Sequence, residues 1–108
     1  MISTHVLDTA LGLPAAGLDV VLDVRHGADW VAVGRGTTDS HGRIGSFSNA
    51  VLADGTYRLL FATAAYHRGI GVRPFFPEVV VTFEVEKGVH YHVPLLLSPY
   101  GFSTYRGA

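Results

Sequence analysis

Apolar and polar residues alternate over short stretches of this chain, with the period of two that is typical of half-buried β-strands. The clearest stretch is 78–86, where four apolar residues fall on one face and mostly polar residues on the other. Glycine, proline and aspartate residues separate such stretches and mark turns. Strands are therefore predicted over residues 2–7, 18–24, 30–36, 55–61, 78–86, 90–97 and 102–105.

The number and spacing of these short strands indicate an all-β fold and favour a β-sandwich. One short helix is expected within residues 62–71, and Pro74 and Pro77 end that segment. The 108 residues contain no repeat, low-complexity segment or linker. The whole chain, 1–108, is therefore predicted to form a single domain.

The strand predicted near the C-terminus carries two histidines on an unusual face. One face of residues 89–97 is entirely apolar. The other mixes apolar and histidine side chains, which on the outside of a sheet indicates an interface or a pocket. Pro94 donates no hydrogen bond to a neighbouring strand, so it marks an edge or a bulge. The mixed face consists of His90, His92, Pro94, Leu96 and Ser98.

Composition narrows the classes of function. The formal net charge is −1 and no run of lysine or arginine occurs, so nucleic-acid binding is not expected. The absence of cysteine excludes disulfides, thiolate nucleophiles and thiolate metal ligands. No apolar stretch is long enough to span a membrane, and residues 1–5 do not resemble the start of a signal peptide, so a cytoplasmic protein is expected.

Histidine supplies most of the candidate chemistry. His90 and His92 project from one side of a strand and could chelate zinc, but no third ligand lies nearby in the sequence, so no metal site is expected. His5 shares a strand face with Ser3 and Leu7, and from its position alone it is a partly buried, hydrogen-bonded histidine. The remaining histidines, which lie in turns or near strand ends and are expected to be solvated, are His26, His41 and His67.

Arg43 follows a predicted turn at residues 38–42 and, judged alone, is a surface arginine. The chain contains no serine-centred nucleophile elbow, phosphate-binding loop or pair of carboxylates with catalytic spacing. The residue pattern by itself therefore indicates a sandwich with several histidines and does not identify a reaction.

Several stretches of the chain form motifs that occur together in one known family. Residues 90–107 read HYHVPLLLSPYGFSTYRG, and residues 3–8 read STHVLD, followed by GLPA at 12–15. Residues 38–43 read TDSHGR, and residues 76–79 read FPEV. These motifs resemble those of the transthyretin-like family, and specifically of its hydrolytic members, the 5-hydroxyisourate hydrolases. The resemblance covers essentially the whole chain, and its two end motifs are long and specific.

The resemblance implies a transthyretin-like sandwich of two four-stranded sheets with one short helix. It also implies a homotetramer, a dimer of dimers, with sites in the cleft between the dimers. The implied reaction is the hydrolysis of a small molecule, 5-hydroxyisourate, which is the product of urate oxidation. The implied product is 2-oxo-4-hydroxy-4-carboxy-5-ureidoimidazoline, and no cofactor is implied.

Carried over to this sequence, the family's catalytic residues are His5, Arg43 and His92. A neutral imidazole can take the proton of an attacking water, and a guanidinium can stabilise the negative oxygen that develops on a ring carbonyl. A second histidine can orient the water or protonate the departing nitrogen, and the sequence does not decide which histidine is the base. The residues implied to shape the substrate site are Tyr105, Arg106, Gly107 and Ala108, where Ala108 replaces the family's usual serine.

Two other functions are compatible with the same fold. A transthyretin-type protein carries a hydrophobic hormone in a central channel, and a fold does not by itself decide between a carrier and an enzyme. A sandwich could also serve only in structure or interaction. The catalytic residues that the resemblance implies favour the hydrolase, because neither alternative needs two histidines and an arginine together with the Tyr-Arg-Gly ending.

Overall fold

Two β-sheets pack face to face through their apolar sides in a computed structural model that describes residues 1–108. The architecture confirms the predicted sandwich with one short helix, and no helix is long and apolar enough to cross a membrane. In chain order the elements are β1 (Ile2–Asp8), β2 (Leu13–Pro14), β3 (Asp19–His26), β4 (Asp29–Thr37), β5 (Arg43–Ile44), β6 (Gly55–Phe61), α1 (Thr63–Gly69), β7 (Val79–Val85), β8 (Tyr91–His92), β9 (Leu95–Ser98) and β10 (Gly101–Thr104).

The first sheet contains six short strands that occupy four positions. Its central strand is β1, with β8 and β9 parallel to it on one side and β2 and β5 antiparallel to it on the other. β10 pairs antiparallel with β9 at the edge. The second sheet is antiparallel throughout, in the order β4-β3-β6-β7. The two sheets therefore agree with the pair of four-stranded sheets that the family resemblance implies.

The core lies between the sheets and follows the alternation seen in the sequence. In β7, Val79 and Val85 are buried whereas Thr82 and Glu84 are exposed, as predicted for the segment 78–86. Burial of each large apolar side chain contributes roughly 1.5–3 kcal/mol. Burial of the apolar faces is therefore the main interaction that holds the two sheets together. Fully buried side chains come from both sheets and include Val6, Leu22, Leu59, Phe61, Leu95 and Leu97.

Pro94 divides the strand that was predicted over 90–97 into β8 and β9. Proline has no N–H to donate, so the ladder is interrupted where it stands. The carbonyls left at the break are held by side chains. The Thr4 hydroxyl donates to the Val93 carbonyl at 2.6 Å, and the Thr104 hydroxyl donates to the Pro94 carbonyl at 2.8 Å. These bonds fix β8, and with it His92, beside β1.

A buried carboxylate ties the end of β1 to α1. Oδ1 of Asp8 accepts from the backbone N–H groups of Ala10 and Leu11, each at 3.0 Å. Its Oδ2 accepts from the Tyr66 hydroxyl of α1 at 2.8 Å. Burial, followed by this hydrogen bond, raises the pKa of Tyr66, so the phenol stays protonated and keeps donating. The contact holds β1 in place at the end opposite Ser3.

His67 is the one histidine whose surroundings were predicted wrongly. It was expected to be solvated, but its side chain is only 2% exposed and neither ring nitrogen has a hydrogen-bond partner in the protein. The reason is that α1 buries one face, and a period of about 3.6 residues places His67 on that face with Thr63 and Tyr66. A buried polar group without a partner destabilises the folded state.

Replacing this ring should therefore stabilise the protein. His67→Leu is expected to raise the free energy of unfolding by about 1–3 kcal/mol, because it removes the cost of the unpaired nitrogens at similar side-chain volume. Urea denaturation measures the change. His26→Leu, at an exposed histidine, is the matched control and should change stability by less than about 0.5 kcal/mol. A lower urea midpoint for His67→Leu would show that the ring is satisfied in solution.

Candidate active site

A polar groove with a volume of about 360 Å³ opens beside β1, β5 and β8. The alternation along β1 explains its position. Thr4 and Val6 point into the core, so Ser3 and His5 lie on the outer face of the first sheet. The groove therefore lies on the same outer surface as His90 and His92, the two histidines of the predicted mixed face. Its lining residues are Ser3, Thr4, Arg43, Ile44, Gly45, His90, His92 and Ala108.

Strand register brings the three predicted catalytic residues together. Ser3 pairs with His92 across the parallel β1–β8 contact. His5, two residues further along the same face, pairs with Arg43 across the antiparallel β1–β5 contact. The strand β1 thus places an imidazole from β8 on one side and a guanidinium from β5 on the other. His5 stands on the strand between them and is not among the groove's lining residues.

The turn before β5 positions Arg43. Oδ1 of Asp39 accepts from the backbone N–H groups of His41 at 2.9 Å and Arg43 at 3.0 Å. The hydrogen bond from the Arg43 N–H has the largest effect on the pKa of the exposed Asp39 carboxyl, followed by the bond from the His41 N–H, and both lower it. The carboxylate therefore remains ionised and continues to accept. Gly42 has φ of 75°, and a Cβ there would lie 2.4 Å from the Val6 carbonyl oxygen. Only glycine fits this turn.

His5 is held by a hydrogen bond that determines its tautomer. Its Nε2 lies 2.9 Å from the carbonyl oxygen of His41. A carbonyl only accepts, so Nε2 of His5 must carry the hydrogen, and the Nδ1 of the neutral ring is left as an acceptor. The prediction of a partly buried, hydrogen-bonded histidine is confirmed. His26 and His41, which were expected to be solvated, are exposed.

His92 is half-buried, and its Nδ1 lies 2.9 Å from the Ser3 hydroxyl oxygen. The same oxygen lies 3.1 Å from Nε2 of His90, so the two histidines meet at Ser3. No group of three or more histidine, cysteine, aspartate or glutamate residues that could hold a metal ion is present. Ser3 was not predicted to belong to the site, although the period of two along β1 places it on the same face as His5.

The surroundings of His92 favour its neutral form. Burial is the largest cause that lowers the pKa of His92, followed by the positive charge of Arg43 and by the charges that His5 and His90 carry when they are protonated. A neutral imidazole at pH 7 has a ring nitrogen free to accept a proton. An imidazole in this form can accept a proton from a water molecule.

The C-terminal residues 105–108 lie beside two different grooves. The Gly107 N–H donates to the His92 carbonyl at 2.7 Å, and a Cβ on Gly107 would lie 2.6 Å from Cδ2 of the His92 ring. Glycine thus lets the chain pass against the imidazole and carry Ala108 into the groove. Tyr105 and Arg106 instead line a separate, mainly apolar groove of about 270 Å³, where the Arg106 guanidinium lies 4.8 Å from the centre of the Tyr91 ring.

Two sheets of four positions, one short helix and an imidazole–guanidinium groove on the outer face define a transthyretin-like sandwich with a polar site. The family description that matches residues 2–107 is "HIUase/Transthyretin family". The chain belongs to this family.

Known proteins resemble the chain over nearly all of its length. A 5-hydroxyisourate hydrolase of Salmonella dublin is 44% identical to it over 110 residues, which cover 100% of this chain and 81% of that protein. The structure of Klebsiella pneumoniae 5-hydroxyisourate hydrolase is similar with a TM-score of 0.87 and 36% identity, over 99% of this chain and 98% of that one. Sea bream transthyretin in complex with thyroxine gives a TM-score of 0.92 and 29% identity, over 99% and 94% of the two chains.

The electrostatics of the groove can be measured without any ligand. The imidazole of His92 should titrate below its ordinary value of about 6.5 in an NMR titration. Arg43→Gln should move that midpoint upwards, because removing a nearby positive charge makes protonation of the ring less costly. Arg35→Gln, which removes an exposed guanidinium from the second sheet, should leave the midpoint unchanged. Equal midpoints in all three proteins would mean that Arg43 does not act on His92.

Proposed function

We propose that this protein hydrolyses 5-hydroxyisourate in urate degradation, with 2-oxo-4-hydroxy-4-carboxy-5-ureidoimidazoline as the product. The observation that carries the proposal is that His92, whose pKa is lowered by burial, lines the same groove as the cationic Arg43. The 44% identity to a 5-hydroxyisourate hydrolase over the full chain supports the choice of substrate.

His92 acts as the general base. Its Nδ1 is hydrogen-bonded to the Ser3 hydroxyl, whereas its Nε2 has no hydrogen-bond partner in the protein and is accessible to solvent. In the tautomer that carries its hydrogen on Nδ1, Nε2 can accept a proton from a water molecule as that water attacks the ring carbonyl. A positioned base of this kind accelerates a reaction by roughly 10²- to 10⁴-fold.

Arg43 and His5 complete the catalytic set. The guanidinium of Arg43 stabilises the oxygen that becomes negative when water adds, because its directed N–H donors and fixed charge favour the transition state over the neutral carbonyl. When the His5 ring is neutral, its Nδ1 is an acceptor, since Nε2–H is donated to the His41 carbonyl. His5 therefore orients the attacking water by accepting one of its hydrogens.

The C-terminal residues shape the site. Gly107 and Ala108 form a wall against the His92 ring, and the substrate ring lies against them. Tyr105 and Arg106 act indirectly, by fixing the course of the backbone that leads to Gly107. The Arg106 guanidinium stacks on the Tyr91 ring and anchors this segment.

A carrier of the transthyretin type is the second candidate, and the fold shared with thyroxine-bound sea bream transthyretin is the observation in its favour. The lining of the groove favours the enzyme. Only two of its eight residues are hydrophobic, whereas a pocket for an apolar ligand is lined predominantly by hydrophobic and aromatic side chains.

The proposed reaction can be tested by forming 5-hydroxyisourate from urate in the cuvette and following its decay by absorbance. The protein should accelerate the decay, and His92→Asn, His5→Ala and Arg43→Ala should each lower kcat/KM by about 100-fold or more. His26→Asn, at an exposed histidine on the second sheet, should retain parental kcat/KM. Decay no faster than without protein would contradict the proposed function, and near-parental activity in all three variants would contradict the assigned site.

We also propose a homotetramer, a dimer of dimers with the active sites between the dimers. Large apolar side chains are exposed at one end of the first sheet. Leu11 and Leu13 follow β1, and Tyr100 follows β9, which runs parallel to β1, so these residues lie at the same end. A patch of this kind is typical of a contact with another subunit.

The assembly predicts a solution mass of about four times 11.6 kDa in light scattering. Leu13→Lys places a charge in the apolar patch and should shift the protein towards smaller species, because an unpaired charge is costly to bury. The control Val31→Lys changes an exposed valine of β4 and should leave the mass unchanged. A parental protein that stays monomeric at micromolar concentration would contradict the tetramer.

A further inference from the structure

The hydroxyl of Ser3 lies between two imidazole rings and has only one hydrogen to give. Its oxygen is 2.9 Å from Nδ1 of His92 and 3.1 Å from Nε2 of His90. Ser3 is buried, with 9% of its surface exposed, so this oxygen has few other partners. The protons on the two rings are therefore coupled through one side chain that the catalytic set does not include.

Two arrangements of neutral rings satisfy both hydrogen bonds. In the first, Ser3 donates to His92 and accepts from Nε2–H of His90, which leaves the hydrogen of His92 on its Nε2. In the second, Ser3 donates to His90 and accepts from Nδ1–H of His92, which leaves Nε2 of His92 unprotonated. Only the second arrangement gives His92 a free lone pair on the side of the groove.

The charge in the groove favours the second arrangement. Arg43 lines the same groove as His92 and is positively charged. A lone pair that faces a groove containing a cation is more favourable than an N–H donor in the same place. His90 is exposed, so its Nδ1 can carry a hydrogen that bonds to water.

We propose that Ser3 and His90 are positioning residues that hold His92 in the tautomer with a free Nε2. The inference rests on the proposed function for its effect on rate, but the tautomer itself is a property of the free protein. Ser3 supplies the acceptor for Nδ1–H of His92, and His90 supplies the acceptor that keeps the Ser3 hydroxyl turned away from His92.

The same chain of groups accommodates the proton that His92 gains. When Nε2 takes a proton from water, the ring becomes a cation that donates Nδ1–H to Ser3. The Nδ1 proton can then pass to the Ser3 oxygen while the Ser3 hydroxyl proton passes to Nε2 of His90. The positive charge moves to the exposed ring, and His92 becomes neutral with a hydrogen on Nε2 for the departing nitrogen. When that hydrogen is given up, the two transfers run in reverse, so no proton is gained or lost over the cycle.

Nitrogen-15 NMR of the two imidazoles tests the tautomer without substrate. Parental His92 should carry its hydrogen on Nδ1. Ser3→Ala and His90→Ala should shift it towards Nε2, and Ser3→Thr, which keeps a hydroxyl on the strand, should restore the parental tautomer. Ser103→Ala and His26→Ala are matched controls at exposed positions outside the groove and should leave the His92 signals unchanged. A parental His92 with its hydrogen on Nε2, or an Nδ1 tautomer that survives Ser3→Ala, would overturn the proposal.

Kinetics separate this proposal from the proposed function. Ser3→Ala and His90→Ala should lower kcat by roughly 10- to 100-fold, the loss expected for a hydrogen bond to a group that becomes charged. KM should change by less than about twofold, because neither residue is assigned a contact with substrate, and Ser3→Thr should recover most of the kcat. An active parental protein with unchanged kcat in both alanine variants would reject the role of Ser3 and His90 alone. An inactive parental protein with the expected NMR shifts would reject the proposed function alone.

Discussion

The backbone pairing of β1 on both of its edges is the constraint on which the site depends. On one edge β1 meets β8 in parallel register, and on the other it meets β5 in antiparallel register. A shift of either partner by one residue would turn its side chains to the opposite face of the sheet. The groove therefore exists only because His92 and Arg43 are both in register with the outward-facing residues of β1.

Features away from the groove keep that register fixed. The interruption at Pro94 would leave carbonyls unpaired, and the hydroxyls of Thr4 and Thr104 satisfy them. At the far end of β1, Asp8 joins the strand to α1 through Tyr66. On the other edge, Gly42 allows the chain to approach β1 closely enough for β5 to pair. The catalytic geometry is thus supported by polar contacts that are themselves buried or backbone-directed.

Much of the fold could be predicted from local pattern, because alternation reports directly on which face of a strand is buried. β6 was predicted with its observed bounds, and β7 to within one residue at each end. The break at Pro94 was predicted only as an edge or bulge, since its consequence depends on which hydroxyls lie nearby in space. His67 was misplaced because a seven-residue helix gives too short a periodic signal to assign its faces. Ser3 was missed as part of the site because its partners are distant in sequence.

That distance has a consequence for how the protein reaches its native state. Ser3 and His92 are separated by 89 positions, so their contact closes a loop that spans most of the chain. Contacts between such distant residues form slowly, because the entropy of closing a long loop is lost before the contact is gained. No isolated hairpin contains the groove, because β1, β5 and β8 are distant from one another in the sequence. The groove therefore forms only when the two ends of the chain have joined in one sheet, and recovery of the Ser3–His92 contact during refolding reports on that step.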